Sequence, residues 1–155
     1  MTSLADPRGS GSLGEPKEPR QVVERLVELF KTNNAELAAQ LYAEDVVIDD
    51  PMYGEQVVGR DAALRAFGDW FRAFLIVDFE VVESVVEGSR IAVHWRWRAI
   101  HQGEYMGVPP SGGEFDGWHL MLFDTRDGLI SRDLTCWDCT QFLELRRHVE
   151  QPDTA

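Results

Sequence analysis

The 155-residue sequence has little positive charge, few cysteines and no long apolar run. Fifteen Lys and Arg residues against 27 Asp and Glu give a net charge of −12, which argues against nucleic acids and anionic membranes as partners. No apolar segment approaches the roughly 20 residues that a transmembrane helix needs, and the N-terminus lacks the basic-then-apolar pattern of a signal peptide. These absences predict a cytoplasmic protein with no membrane or nucleic-acid partner, whose ligand is neutral or at most weakly anionic.

The two cysteines, Cys136 and Cys139, are spaced as C-x-x-C. Redox motifs have this spacing, but no βαβ pattern surrounds it here, and a tetrahedral zinc site would need a second pair of ligands. We therefore predict free thiols, with no metal and no cofactor. Redox or metal chemistry at this pair is the less favoured alternative.

The length of the chain fits a single domain, and an apolar content of 44% is sufficient for a hydrophobic core. Residues 1–18 are rich in Gly, Pro, Ser and charge and offer little to bury, so they predict a flexible N-terminal tail. We place the domain at residues 19–150 and a short C-terminal tail at 151–155.

Apolar residues at three-to-four spacing predict three helices before the main run of strands. The first begins at Pro19 and ends at Asn33, and Asn34 can cap a short second helix. The third is predicted over Ala62–Phe74, with Asp61 as its cap. Its four large aromatic side chains need a broad apolar surface to pack against, which the following strands can provide.

Alternating apolar and polar residues predict strands in the second half of the chain. After a short strand at 46–49, the long runs are 76–86, 90–100, 114–124 and 129–137. Asp127-Gly128 marks a tight turn, and Asp138 with Gln141 predicts a capped final helix to about Val149. The order ααβαββββα predicts an α+β fold, in which a curved mixed or antiparallel sheet wraps around the N-terminal helices and a helix ends the chain.

Three segments of this pattern resemble a known family. They are LYAEDVVIDDPMYGEQVVGRDAALRAFGDWFRAF (41–74), HQGEYMGVPPSGGEF (101–115) and FDTRDGLISRDLTCWDCTQFLELR (123–146). Together with the order of elements, they are similar to the SnoaL-like polyketide cyclase group of the NTF2-like superfamily. The resemblance implies a cone-shaped fold with an apolar pocket, a homodimer formed through the outer face of the sheet, and a role in secondary metabolism such as antibiotic biosynthesis.

The resemblance also implies an activity, a cofactor-free cyclase or isomerase that acts on a small, hydrophobic, polyketide-like carbonyl compound. In an intramolecular aldol closure, an acid polarises a carbonyl group while a base removes an activated carbon-bound proton. The superfamily includes epoxide hydrolases, but the positions that match their site hold Gln102, Glu104 and Thr135, which do not form it. It also includes non-catalytic modules, so a protein that only binds a small ligand is the alternative.

His119 is the first candidate for catalysis. It falls in a run that faces inward if Asp116 faces outward, and an imidazole can act as acid or base near neutral pH. The alternative is a core histidine that bonds to a neighbouring backbone group or tyrosine.

Three further candidates are acidic or imidazole side chains. His101 and Glu104 match the H-x-G-E of the family, which implies a catalytic histidine at 101; the alternative is a loop histidine beside a solvated acid. Asp50 ends a strand before a proline and would act as a base if burial raised its pKa. Its alternative role is to cap the turn.

Large side chains on the helices and strands are predicted to line the pocket or to fill the core around it. The set is Tyr53, Trp70, Phe71, Trp97, Met106, Phe115, Met121 and Trp137. Asp138 is assigned to capping rather than catalysis, and Arg96 and Arg98 to the outer face of the sheet or a dimer interface.

Overall fold

A computed structural model describes residues 18–150 of the chain. The predicted tail at 151–155, and all of the predicted tail at 1–18 except Glu18, lie outside the described residues. In chain order the elements are α1 (Pro19–Thr32), a 3₁₀ segment (Ala35–Gln40), β1 (Tyr42–Asp49), β2 (Val57–Val58), α2 (Arg60–Ala73), β3 (Phe74–Glu87), β4 (Arg90–His101), β5 (Glu114–Arg126), β6 (Leu129–Trp137) and α3 (Thr140–Glu150). The predicted order is confirmed, with the two-residue β2 as an addition that no sequence pattern indicated.

The ends of the first two helices follow from local backbone chemistry. α1 ends at Thr32 and is capped by Asn33, whose φ of 51° is in the left-handed region that asparagine tolerates. The Asn34 side chain then accepts a backbone N–H and caps the next segment as predicted, although that segment is a 3₁₀ helix. α2 begins two residues earlier than predicted because Gly59, with φ of 90°, turns the chain into it. Asp61 therefore lies in the first turn, where a negative charge favours the helix dipole, rather than at the cap.

The start of α3 differs from the predicted capping box. Asp138 accepts the backbone N–H of Thr140 at 3.0 Å, as expected of a residue that ends the strand and begins the helix. The side-chain oxygen of Gln141, however, accepts the N–H of Asp116 at 3.2 Å. Gln141 thus ties α3 to β5 and does not close the box.

The six strands form one mixed sheet in the order β2-β1-β6-β5-β4-β3. β3 to β6 pair antiparallel in a meander, and β1 joins the sheet by pairing parallel with β6. One face of the sheet packs on α1 and α2, where Phe30 stacks on Phe79 with ring centroids 5.0 Å apart. This arrangement confirms the predicted α+β class with a curved sheet around helices.

A shift of register near the start of β6 decides which of its residues face the helices. The pairing of β5 with β6 slips between Asp124 and Thr125, so Ile130 pairs with Thr125 but Arg132 pairs with Asp124. As a result, both Ile130 and Asp133 face inward, although they are three positions apart. The slip brings a carboxyl group into the core.

Candidate functional site

A cavity lies between α2, β1 and the inner face of β5 and β6. It has about 560 Å³ of empty space including its mouth. Its apolar wall is formed by Phe30, Ile48, Ala66, Phe67, Trp70, Met121 and Trp137. Its polar groups are Asp50, Tyr53, Tyr105, His119, Asp133 and Thr135. A mainly apolar hollow with a few polar groups is typical of small-molecule sites.

His119 faces this cavity from β5, on the inward side that the alternation predicted. It is 8% exposed; its Nδ1 accepts a hydrogen bond from the Trp97 indole N–H at 2.8 Å, and its ring stacks on Trp137. Burial lowers the pKa of His119 to about 3, so the imidazole is neutral at physiological pH. His119 is therefore a buried, hydrogen-bonded residue that also faces the cavity, and its partner is a tryptophan rather than the predicted backbone group or tyrosine.

Asp133 is a cavity residue that the sequence analysis did not single out. Its side chain accepts hydrogen bonds from the Tyr42 hydroxyl (2.9 Å, Oδ2) and the Thr135 hydroxyl (2.9 Å, Oδ1), and the residue is 1% exposed. Burial raises the pKa of Asp133 from 3.8 to about 7; the two hydrogen bonds oppose the shift, and the charges of Asp50 and Asp49 add to it. An acid with this pKa can accept and return a proton near neutral pH.

A signal for Asp133 is present in the sequence. Counting back from Trp137 in steps of two gives Thr135 and then Asp133, so all three share the inward face of the final strand. The same count fails at Ile130, because the register slip reverses the alternation. The polar run Ser131-Arg132-Asp133 therefore reads as an exposed strand edge.

Asp50 lies at the cavity wall just after β1 and is half-buried. Its Oδ1 accepts the indole N–H of Trp137 at 3.1 Å and the backbone N–H of Met52 at 2.9 Å. Burial raises the pKa of Asp50, and these two hydrogen bonds lower it in part. The contact with Met52 is that of a turn cap, and the contact with Trp137 fixes the ring that stacks on His119.

His101 lies away from the cavity lining, at the end of β4. It is fully buried, stacked on Phe74 with centroids 4.8 Å apart and in edge contact with Phe115. Its Nδ1 accepts the backbone N–H of Ser111 at 3.3 Å, and its Nε2 is buried without a partner in the described residues. Burial lowers the pKa of His101. The geometry is that of a packing residue beneath the Gly/Pro loop, the glycine- and proline-rich segment 102–113 that joins β4 to β5.

Glu104 is exposed, and its Oε1 accepts the backbone N–H of Gly107 at 2.7 Å within the same loop. It borders an outer groove together with Met106, Tyr53 and Tyr105. The hydroxyls of Tyr53 and Tyr105 are 3.4 Å apart, and both residues also line the inner cavity. The tyrosine pair therefore stands between the groove and the cavity.

The predicted lining residues divide between the cavity and its surroundings. Tyr53, Trp70, Met121 and Trp137 line the cavity. Three others pack around it: Phe71 contacts Phe30 and Phe67, Phe115 contacts Phe74 and His101, and Trp97 reaches the site through His119. Met106 borders the outer groove instead.

The two cysteines are not among the residues that line the cavity. Cys136 is exposed and Cys139 half-buried, and both are free thiols. Among residues 18–150, no three His, Cys, Asp or Glu side chains are grouped so as to hold a metal ion. No helix in that range has both the length and the apolar character needed to cross a membrane.

Comparison with known proteins identifies related sequences and folds. The family model of the SnoaL-like domain matches residues 23–133, which is more than half of the chain. No curated protein matches it significantly. The family model confirms the predicted resemblance. Solved structures also match, and they confirm the predicted fold class.

Three of these structures illustrate the likeness. IdmH from Streptomyces antibioticus, a candidate polyketide cyclase, is 27% identical, with a TM-score of 0.66, and the match covers 83% of this chain and 98% of IdmH. A candidate SnoaL-like polyketide cyclase from Jannaschia sp. CCS1 is 22% identical, with a TM-score of 0.68 and coverage of 90% and 99%. AclR from Streptomyces galilaeus, a candidate hydroxylase, is 18% identical, with a TM-score of 0.70 and coverage of 83% and 95%.

Proposed function

The chain belongs to the SnoaL-like domain family, and from that premise we propose that it is a cofactor-free enzyme that closes a ring in a small, hydrophobic carbonyl compound. One observation carries the proposal. Asp133, a buried carboxyl group with a pKa of about 7, lies in a mainly apolar cavity. A carboxyl group held between its two protonation states near neutral pH is suited to general acid–base catalysis.

Asp133 has the role of proton carrier in this proposal. Tyr42 and Thr135 donate to its two oxygens and hold the carboxylate in place. The ionised form removes a proton from a carbon flanked by carbonyl groups, which leaves an enolate. Because the aspartic acid that results has a pKa near 7, it can return the proton within the same cycle.

His119 has the role of hydrogen-bond donor. Its Nδ1 accepts from Trp97, so the neutral ring carries its proton on Nε2, the nitrogen left for the cavity. An N–H group directed at a carbonyl oxygen stabilises the negative charge that develops there.

The bond changes balance without an oxidant or cofactor. The enolate carbon forms a bond to a second carbonyl carbon of the same substrate, whose C=O electron pair moves onto oxygen. That alkoxide takes the proton from Asp133, which restores the carboxylate. The net reaction is an isomerisation of an open chain to a ring that bears a hydroxyl group.

The register of the sheet indicates how the two groups share the work. His119 pairs with Trp137 and Phe123 pairs with Asp133, so the two candidates lie four positions apart along neighbouring strands. This corresponds to about 13 Å between their Cα atoms along the strand direction. The separation leaves room for a substrate between their side chains, so they act on different substrate atoms.

The tyrosine pair lies where the cavity meets the outer groove. The cavity has about 560 Å³ of empty space including its mouth, a size typical of small-molecule sites. We propose that the substrate enters from the outer groove by parting Tyr53 and Tyr105, whose hydroxyls are 3.4 Å apart. The aromatic side chains of the cavity wall, such as Trp70 and Trp137, then contact the substrate as it adopts the conformation for ring closure.

The test is the turnover of a short β-polycarbonyl compound by wild-type protein and by Asp133→Asn. The amide keeps the size of the side chain but cannot carry the proton, so we expect turnover to fall by about 10²–10⁴-fold. Asp116→Asn, an exposed aspartate on the same sheet, is the matched control and should retain wild-type turnover. Equal turnover in Asp133→Asn and wild type would exclude this mechanism.

The same experiment separates catalysis from binding alone. A compound that raises the melting temperature but yields no product with wild-type protein would favour the alternative, a module that holds a small ligand. Identification of compounds that copurify with the protein, and of its neighbouring genes, would test the proposed setting in cytoplasmic secondary metabolism.

We also propose that the chain forms a homodimer through the outer face of the sheet, as the resemblance implies. Four large apolar side chains are 40–51% exposed there: Trp118, Leu120, Leu122 and Leu134. Leu122 pairs directly with Leu134, so they form one patch. Light scattering should give twice the chain mass of 17.6 kDa for wild type and a monomer for Leu120→Glu; a monomeric wild type would refute this.

A further inference from the structure

Trp97 occupies a position that only a glycine on the neighbouring strand permits. In the pairing of β4 with β5, Trp97 lies directly opposite Gly117, and His119 lies opposite Trp95. A Cβ atom placed on Gly117 would lie 2.2 Å from Cζ2 of Trp97, well inside van der Waals contact. The indole ring therefore lies across the backbone of Gly117 and extends diagonally to His119.

The contact at the end of this diagonal has a defined direction. An indole nitrogen can only donate a hydrogen bond, so the 2.8 Å contact between Trp97 Nε1 and His119 Nδ1 requires an unprotonated Nδ1. The proton of the neutral imidazole is then on Nε2. No described residue bonds to Nε2, and the ring lines the cavity.

The orientation of the imidazole ring is fixed by its aromatic neighbours. Trp137 stacks on it at 5.5 Å between centroids with an angle of 16°, and Trp95 lies at 6.1 Å. Rotating the ring to exchange its nitrogens would break the bond to Trp97 and leave the indole N–H without its acceptor inside the protein, which is costly.

We propose that Trp97 is a positioning residue that fixes His119 in the Nε2–H tautomer, so that the cavity always offers a substrate oxygen an N–H donor and never an imidazole base. Gly117 provides the space for this contact. The role of the donor in turnover rests on the proposed function, whereas the tautomer itself does not. The inference divides the work between the two candidates and leaves proton transfer to Asp133.

The charges near His119 are consistent with a neutral donor. Asp50, Asp133, Tyr53 and Tyr105 are the other titratable groups that line the cavity, and none of them bonds to the imidazole. Asp50 bonds instead to the tryptophan that stacks on it. Within residues 18–150, Trp97 is therefore the side chain that decides the tautomer.

The test measures the tautomer directly by ¹⁵N–¹H correlation spectra of the histidine rings, with no substrate present. The chain has four histidines, and a His119→Gln spectrum assigns the signal. We expect wild-type His119 to be almost entirely the Nε2–H form. In Trp97→Phe, which keeps an aromatic ring but removes the donor, the tautomer ratio should fall by about tenfold, the equivalent of one hydrogen bond.

Two further variants make the comparison specific. Gly117→Ala retains the indole but displaces it, and should produce the same spectral change. Trp70→Phe is the matched control, because Trp70 lines the cavity and contacts Trp97 and Trp137 without bonding to His119. It should leave the tautomer ratio unchanged.

The outcomes that overturn the inference are distinct from those that overturn the proposed function. An Nδ1–H signal for His119 in the wild type, or an unchanged ratio in Trp97→Phe, removes the role of Trp97 even if the protein turns over a substrate. Should the variants not fold, scalar coupling across the hydrogen bond between Trp97 Nε1 and His119 Nδ1 in the wild type provides the test. Its absence would also refute the inference.

Discussion

Two buried histidines, His119 and His101, lie on neighbouring strands of one sheet in different surroundings. His119 has one nitrogen bonded to Trp97 and the other left for the cavity. His101 is packed between Phe74 and Phe115 beneath the Gly/Pro loop, away from the cavity lining. Burial lowers the pKa of both imidazoles. A perturbed pKa therefore does not separate a candidate catalytic group from a packing group, and access to the cavity does.

The difference also shows what the resemblance to the family carries to this chain. The residue types of His101 and Glu104 match a motif of the family, but in this structure both side chains stabilise the Gly/Pro loop. His101 accepts the backbone N–H of Ser111, and Glu104 accepts the backbone N–H of Gly107. Asp133 belongs to no quoted motif as a site residue, yet it combines burial, proximity to the cavity and a pKa of about 7. The candidate site is therefore defined by the side chains that line the cavity and not by the matches to the family motif.

The largest expected effect comes from replacing the two histidines one at a time. His119→Ala removes the N–H donor, so turnover should fall by about 10²–10⁴-fold while the protein still folds. His101→Ala should instead leave turnover per folded molecule within about threefold of wild type and lower the free energy of unfolding by about 2–4 kcal/mol, since it empties a packed site.

The opposite pair of results would contradict the roles assigned to the two histidines. A large loss of turnover in His101→Ala with unchanged stability would move the reactive centre to the end of β4. Steady-state kinetics normalised to the folded fraction, together with urea unfolding, decide between the two results.

The second effect is on the pH dependence of stability at the cavity. The pKa of the Asp133 carboxyl group is 3.8 in the unfolded chain and about 7 in the folded protein. The protonated carboxyl group therefore stabilises the folded state fully below pH 3.8, and this contribution is lost as the pH rises from 3.8 through about 7. The wild type should therefore lose stability relative to Asp133→Asn between these values, with a slope of at most about 1.4 kcal/mol per pH unit. Chemical unfolding across this range measures it, and a pH-independent difference would place Asp133 in a solvated environment.

A smaller effect is expected where the loop region approaches α2. A Cβ on Gly103 would lie 2.5 Å from the backbone oxygen of Arg72, so Gly103→Ala should lower the free energy of unfolding by about 1–3 kcal/mol without changing turnover. Gly68→Ala, in α2 with nothing within 4 Å of its added Cβ, is the control and should raise stability by up to about 1 kcal/mol. Equal effects of the two changes would refute the close contact.

The smallest effect is expected for the exposed acid of the loop. Glu104→Gln keeps an oxygen that can accept the N–H of Gly107, so stability should change by less than about 0.5 kcal/mol and turnover should not change. A loss of turnover above about tenfold would bring Glu104 back as a candidate. The assay used for the histidine variants measures it.

Much of the fold was predictable, because local patterns determine it. The alternation along β5 correctly placed His119 inward and Asp116 outward, and Asn33 ended α1 as its left-handed tendency suggests. The parallel pairing of β1 with β6 and the short β2 depend on contacts between distant segments, which no local pattern encodes.

The candidate site was predictable only in part. Asp133 was missed because the register slip near Ile130 reverses the alternation along β6. Counted from Ile130, Asp133 would face outward, and only the count back from Trp137 places it inward. The difference between Trp70, which lines the cavity, and Phe71, which packs in the core, follows from how α2 is rotated against the sheet. The spacing of apolar residues along α2 predicts that both Trp70 and Phe71 are buried, but it does not predict which of the two faces the cavity.

The proposed function depends most on the carboxyl group of Asp133, which lies in the cavity and has a pKa of about 7. A ¹³C NMR titration of the aspartate carboxyl groups tests it most directly, with Asp133→Asn used to assign the signal. In the wild type, one carboxyl group should titrate near pH 7, and its signal should disappear in the variant. If the signal lost in the variant instead titrates below about pH 5, as an ordinary aspartate does, the account is contradicted.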